Sequence, residues 1–441
     1  MKRFQSLALG AVIAALAGCS GGDDPLPGIR LDPREALDLG VNEAPAPAAE
    51  AARVPLALPA PQARPDWPQR AGGPDHDIGH RALSPAPQVV WTAPIGAGEG
   101  RRRRMPAQPV VSGGRIFTLD AEAQLTATST AGATLWSVDL TPPGEKKGEA
   151  SGGGIAVAGN RVFVTSAYGV LEAFDATTGA RLWEQDFDAP VGGAPTVADG
   201  RVHVLARDGS VWAVEAGNGK VVWQQPGLPG RSGVTGASAP AVSGGVVVFP
   251  FATGDLLALE AATGAPKWQG RIAGRRIGRA FAAFTDVTGD PVIAGGRVYA
   301  GSSSGRTVAI EAATGQPLWN ATEGTSGPVT VAGGSVFLVS DEGRLLRLDA
   351  ATGDEIWAVE LPYYVKAKIK KQSTIYVHYG PVLAGGKLWL ASSDGIMRAF
   401  DPVTGAPAGQ IELPEGAASA PVVAGGVAYV QGVKGDLIAL R

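Results

Sequence analysis

One pattern, A-x-D-x-x-T-G-x-x-x-W, constrains this chain more than any other feature, because it keeps returning. Its clearest copy is Ala173–Trp183. It recurs as Ala213–Trp223, Ala258–Trp268, Ala309–Trp319 and, with Arg347 in place of the alanine, Arg347–Trp357. A looser copy ends at Trp136, and Ala399–Gly409 carries glycine where the tryptophan should stand. A glycine lies four residues before the final position each time: Gly132, Gly179, Gly219, Gly264, Gly315, Gly353 and Gly405. Their spacings are 47, 40, 45, 51, 38 and 52 residues. Repetition at such a period marks an array of similar supersecondary units.

A second turn signal precedes each unit. The pairs are Gly113-Gly114, Gly159-Asn160, Asp199-Gly200, Gly244-Gly245, Gly295-Gly296, Gly333-Gly334, Gly385-Gly386 and Gly425-Gly426, eight in all, flanked by β-branched residues. Such pairs tolerate the positive φ angles of a two-residue hairpin. A third signal follows in most repeats, as in Asp208-Gly209 and Asp394-Gly395. Three turns per repeat make four antiparallel strands, and a four-stranded unit of this length is a propeller blade. The expected fold is all-β, an eight-bladed β-propeller over residues 67–441. The eighth repeat reaches Arg441 without its tryptophan-bearing strand, while an orphan strand, Gln88–Trp91, lies upstream of blade one. Adding that strand to blade eight closes the ring and removes an open edge. Trp91, Trp136, Trp183, Trp223, Trp268, Trp319 and Trp357 are read as structural. Each indole is expected to lie on a peptide plane of the next blade and donate its N–H there, the motif's alanine leaving room for the ring. Gly409 predicts a weaker joint at blade seven.

Composition agrees. The 63 Gly and 34 Pro in 441 residues exclude a long coiled coil. A hydrophobic content of 45% argues against disorder. One cysteine excludes a disulfide scaffold and a cysteine-rich metal site. A net charge of −3 gives no footprint for nucleic acid.

That cysteine sits in an N-terminal pattern. Lys2 and Arg3 precede an apolar run from Leu7 to Leu16, which ends in Leu16-Ala17-Gly18-Cys19. A basic start and a short apolar stretch read as a signal peptide over 1–18. The ending resembles a bacterial lipobox, which implies that Cys19 is lipidated and anchors the chain to a membrane. Ser20, rather than Asp, favours the outer membrane. Residues 19–66 hold many prolines and alanines and no Trp, Phe or Tyr, and read as a tether that cannot build a core.

Catalytic signals are weak. Gly301–Gly305 matches G-x-S-x-G around Ser303, but its flanks read as strands, so it is a hairpin turn rather than a nucleophile elbow. His76-x₃-His80 with Asp75 and Asp77 supplies too few ligands for a closed metal site, and both histidines read as packing residues. His203 and His378 lie singly in strand patterns. Interruptions of the repeat are more informative, since loops on a rigid scaffold usually carry binding residues. They are Arg101–Arg104, Gly230–Ala239 between blades three and four, Ile272–Asp290 between blades four and five, and Tyr363–Tyr379. In the last, Lys366, Lys368 and Lys370 alternate with Val365, Ala367 and Ile369, which predicts a strand with one lysine face.

The docking motif resembles that of pyrroloquinoline quinone (PQQ) dehydrogenases, also eight-bladed propellers. A single cysteine cannot form the vicinal disulfide that resemblance would require. Lipobox, tether and a tryptophan-docked propeller without catalytic residues together resemble the BamB family, lipoprotein subunits of the outer-membrane β-barrel assembly machinery. The resemblance rests on Val90-Trp91 with Gly96-Ala97-Gly98, on Gly236–Pro240, on Asp286-Val287 followed by Pro291-Val292, and on Gly435–Arg441. It implies a scaffold with no enzymatic activity and no cofactor, at the periplasmic face of the outer membrane. Its partners would be the POTRA domains of BamA, other subunits of the machinery and unfolded outer-membrane clients. Carried over by position, the BamA contact falls on Ser232, Val234 and Thr235 in one loop, where the family has two leucines and an arginine. In the next loop it falls on Asp286, which matches, and on Thr288, where the family has a second acid. Arg231 or Arg279 is expected to supply the missing cation. The alternative function is a periplasmic quinoprotein-type enzyme or small-ligand binder.

Overall fold

A computed structural model describes residues 54–441 except 102, 106, 151, 229–237, 273, 275–285, 326 and 367. Thirty-two strands form eight four-stranded antiparallel sheets, each running from an inner to an outer strand. Seven sheets use consecutive strands. The eighth combines Val422–Ala424, Val427–Gln431 and Asp436–Leu440 with Val89–Pro94 as its outer strand, in the register Trp91↔Ala439 and Thr92↔Ile438. The ring closes as the repeat count predicts.

The motif's chemistry explains its local structure. Asp175 Oδ1 accepts the backbone N–H groups of Thr177 and Thr178 (2.9 and 2.8 Å), and Thr178 Oγ1 accepts that of Ala180. Asp401 and Asp349 repeat the arrangement. The turn's backbone donors are thus satisfied by its own side chains. The following strand delivers the tryptophan. Trp136, Trp183, Trp223, Trp268 and Trp319 donate Nε1–H to the carbonyls of Ala176, Ala216, Ala261, Ala312 and Ala350 at 2.9–3.3 Å. Trp91 donates to Thr130 of blade one at 3.2 Å. Each indole lies over the motif glycine of the next blade, from Gly132 beneath Trp91 to Gly405 beneath Trp357.

Six of the seven rings also have an aromatic partner within their own blade. The residue paired with the motif alanine on the second strand is Phe117, Phe163, His203, Tyr299 or Tyr429 in blades one, two, three, five and eight. These rings stand 5.8–6.0 Å from the blade's tryptophan, tilted by 43–48°. Phe337 meets Trp357 in the same way in blade six. In these six blades the indole is held between an aromatic ring of its own blade and a glycine of the next; in blade four Val248 stands opposite the motif alanine.

Three departures have physical reasons. Blade eight joins its third and fourth strands by hydrogen bonds alone, Gln88 and Arg441 exchanging both backbone bonds. It has no turn on which an indole could lie, which is the counterpart of glycine at position 409. Arg347 fills the alanine site of blade six and is fully buried. It donates to Ser335 Oγ, to the Val403 carbonyl and to the carbonyls of Val54 and Pro55. Trp357 Nε1 has no hydrogen-bond partner. His203 occupies an aromatic site with neither ring nitrogen partnered.

The segment before the first strand differs from a free tether. Val54, Leu56 and Leu58 pack on the core between blades six and seven. Arg64 O accepts Gly425 N of blade eight. Trp67 exchanges backbone bonds of 2.7 and 2.8 Å with Val111, Pro68 O accepts Val157 N, and the Gln69 amide bonds both backbone groups of Val197. Pro74 O and Asp75 O accept Val242 N and Ile293 N, and Arg81 N donates to Leu383 O. These partners occupy the same position on the innermost strands of blades one to five and seven. The segment crosses the ring's centre and satisfies their inward-facing edges. Residues 54–66 already pack on the ring, so the boundary drawn at residue 67 is too late.

Tyr363–Tyr379 is also not the predicted strand. Ile369–Lys371 is a 3₁₀ turn, and a single bridge pairs Tyr364 with Ile375. Alternation alone does not make a strand where no neighbouring strand supplies hydrogen bonds.

The tryptophan stack gives a paired test. At Gly264 φ is +74°, and a Cβ would stand 2.7 Å from the Trp223 ring; at Gly244 φ is +57° and the space is open. Gly264→Ala should cost about 1–3 kcal/mol, and Gly244→Asn less than about 0.5 kcal/mol, both read by urea unfolding.

His203 gives a pH test. Burial, aided by the Arg201 guanidinium, lowers its pKa to about 3. Between the ordinary value of 6.5 and 3 the unfolded chain binds a proton that the folded chain does not. This contribution therefore costs stability as pH falls through that window, by about 1.4 kcal/mol per unit. His203→Phe should raise the melting temperature at pH 7, and raise it further at pH 5.

Candidate functional site

Antiparallel blades sort their connections onto two faces. The turns between strands one and two and between strands three and four share one face. The turns between strands two and three share the other with the links between blades. The N-terminal segment contacts the first face: Leu56 and Ala57 reach Gly333, Leu83 reaches Gly385, and the Asp66 carboxylate accepts Gly113 N. The described residues of the interruptions singled out in the sequence belong to links between blades and so lie on the second face, which is the candidate interaction site.

Two of these links are joined to each other. Ser238 Oγ donates to the Val287 carbonyl (2.8 Å), and Ala239 N donates to Asp290 Oδ1 (2.7 Å). The other oxygen of Asp290 accepts Arg70 Nε at 2.7 Å, with the carboxylate fully buried. The link between blades three and four and the link between blades four and five thus share a base, pinned to the N-terminal segment. Thr288 Oγ1 donates to the Thr325 carbonyl, extending the connection towards blade six.

The sequence-derived contact residues divide accordingly. Arg231, Ser232, Val234, Thr235 and Arg279 lie outside the described residues, as does Cys19. Asp286 is 6% exposed, and Thr288 is half-buried. Both belong to the base of the second loop. Asp290, Ser238 and Arg70, which hold the two loops together, were not singled out in the sequence. Asp290 closes the Asp286–Asp290 run, and its burial is the only thing that distinguishes it.

The remaining candidates resolve into structural roles. Arg103 pairs with Glu122, and Arg104 with Glu99 at 2.8 Å, so two cations of the Arg101–Arg104 run are neutralised. Ser303 sits in the turn of a hairpin between Arg297–Ser302 and Arg306–Glu311. His76 is buried with Nδ1 on the Pro291 carbonyl. Burial pulls its pKa down, against the pull of the Asp290 carboxylate. His80 Nδ1 meets the Pro59 carbonyl, and its Nε2 accepts Gly386 N. His378 bridges Ser392 Oγ and the Pro362 carbonyl.

Asp290 carries the shared base, so its removal should be costly. Asp290→Ala leaves the Arg70 cation and Ala239 N unpaired and should destabilise the ring by about 2–4 kcal/mol. Arg70→Met combined with Asp290→Ala should cost less than the sum of the two single changes. Chemical unfolding of the four proteins measures both.

Residues 121–359 match the family model described as "Outer membrane protein assembly factor BamB". The chain is 29% identical over 244 residues to the BamB of Shewanella oneidensis, covering 53% of this chain and 60% of that protein. It is 34% identical over 259 residues to the BamB of Salmonella typhimurium, covering 55% and 65%. The aligned parts thus span less than two thirds of these relatives. Among solved structures, BamB from Moraxella catarrhalis superposes with a TM-score of 0.67 at 18% identity, over 81% of this chain and all of that one. Quinohemoprotein alcohol dehydrogenase from Comamonas testosteroni superposes with a TM-score of 0.65 at 16% identity, over 89% and 83%. At such identities both show the fold alone. The family model covers more than half of the residues, and on that match this eight-bladed PQQ-repeat propeller belongs to the BamB family of outer membrane protein assembly factors.

Proposed function

We propose that this chain is a non-catalytic scaffold lipoprotein assisting β-barrel assembly at the outer membrane. In this reading acylated Cys19 holds it at the periplasmic face, the chain between Cys19 and the docked residues 54–66 forms the tether, and the link-bearing face binds the POTRA domains of BamA. The observation that carries the reading is the pair of adjacent links stitched by Ser238–Val287 and Ala239–Asp290, in a chain of this family. A rigid shared base presents two loops as one surface, as recognition by a folded partner requires.

The quinoprotein alternative draws on the dehydrogenase-like fold. Its donor chemistry is a poor fit. Among the described residues no three His, Cys, Asp or Glu side chains gather to hold a metal ion, and the only cysteine is Cys19. Trp67, Ala71 and His76 are buried within the segment that crosses the ring's centre.

Affinity capture from solubilised envelope, read for BamA, tests the proposal. Arg231→Glu with Arg279→Glu should reduce BamA recovery at least about tenfold while that variant melts with the parent; Asp286→Arg should reduce recovery as well, and because Asp286 is buried it should also lower the melting temperature. Undiminished recovery would overturn the loop assignment. Tight binding in a PQQ titration would overturn the scaffold reading itself.

A further inference from the structure

The connection between blades six and seven, Tyr363–Tyr379, stands apart from the other loops of its face. It holds Lys366, Lys368, Lys370 and Lys371, four of the chain's seven tyrosines, and no acidic residue. The rest of the propeller carries 28 basic and 33 acidic residues, a net of −5, so this segment is a local excess of positive charge. All four lysines are exposed, and none forms an ion pair with a described residue. The Arg101–Arg104 run on the same face is, by contrast, partly neutralised by Glu99 and Glu122.

Apolar side chains are exposed beside these cations: Tyr364, Val365, Ile375 and Val377, at 39–44%. The loop is nonetheless firmly built. Val365 N donates to the Thr374 carbonyl and Tyr376 N to the Tyr363 carbonyl, at 3.0 and 2.8 Å. Tyr363 packs edge-on against Tyr364, 4.9 Å between centroids, and lies against Gly343. Val377 and Ser393 exchange two bonds at the base. Its apolar tips are held out in water by a constructed hairpin.

We infer that this hairpin is a docking element for a bilayer surface containing anionic phospholipid. Lysines beside exposed aliphatic and tyrosine side chains suit the interface between headgroups and acyl chains, where ammonium groups meet phosphates and the apolar groups leave water. An acidic protein would match the cations and leave the apolar tips hydrated. The 35 residues from Cys19 to Val54 reach at most about 110 Å, enough for this face to turn to the membrane that an acylated Cys19 would occupy. The inference does not depend on the BamA contact, which lies on other links.

The test uses the full chain with Cys19→Ala, so that no acyl group contributes. It is co-sedimented with phosphatidylcholine vesicles and with vesicles containing about one-third phosphatidylglycerol, at low and high salt. Binding should require the anionic lipid and fall steeply with salt. Changing all four lysines to Gln should weaken it at least about tenfold, while changing them to Arg should retain it. Val365→Ser with Ile375→Ser should remove the part that survives high salt. Equal binding to neutral vesicles, unchanged binding by the Gln variant, or capture of polyglutamate without vesicle binding would each overturn the inference. Thermal melting of every variant separates loss of binding from loss of fold.

Discussion

A ring of eight sheets leaves eight inner edges facing a common axis, each with unpaired backbone N–H and C=O groups. Buried backbone groups left without partners are costly, so these edges must be satisfied from somewhere. Here the chain does it with its own N-terminal segment. Trp67, Pro68, Gln69, Pro74, Asp75 and Arg81 take the same inner-strand position in six blades. The resulting bonds couple blades that never touch each other, and they cover one face of the ring. What varies between repeats is thereby left to the opposite face, where the links between blades lie.

Around the circumference a different interaction holds neighbours together. Six of the seven indoles fill the space between an aromatic ring of their own blade and a bare glycine of the next, and six donate their N–H to a turn carbonyl. Burial of a ring this size, with its polar atom satisfied, contributes several kcal/mol per joint. One exception lies where the N-terminal segment attaches. Arg347 gives up the alanine slot to hold Val54 and Pro55, and Trp357 beside it loses its hydrogen bond. Arg81 lies over the Trp67 ring, 4.8 Å from its centroid, in the same region. The ring gives up one ideal joint to fasten the segment that seals it.

Much of this was legible in the sequence, and the reason is periodicity. Turn chemistry repeated eight times fixes strand number, blade number and the need for a borrowed strand. The aromatic partner on the second strand was less visible, because Phe, Tyr, His, Val and Trp all occur there. Residues 54–66 read as a tether because their attachment is largely through main-chain carbonyls, which leave no mark on composition. The lysine segment misled in the opposite way, since its alternation suggested a strand that no neighbour completes. Asp290 was invisible because nothing in its local sequence announces that Arg70, 220 residues earlier, is its partner.

Electrostatics separates the surfaces of the uncovered face. Where its charged groups belong to the scaffold, they are matched: Asp290 with Arg70, Arg104 with Glu99, Arg344 with Glu323. A matched pair costs little to keep and offers little to a partner, because its field is cancelled within a few ångströms. The lysines of the hairpin between blades six and seven escape this pairing, in a domain whose other charges sum to −5. A charge left unmatched on a rigid loop is exposed to whatever approaches, and its attraction extends for roughly a Debye length of 8–10 Å. Two kinds of surface therefore share one face. One is the joined base of two adjacent links, where Asp290 is matched by Arg70. The other is a cationic, apolar-tipped hairpin, suited to a broad anionic surface.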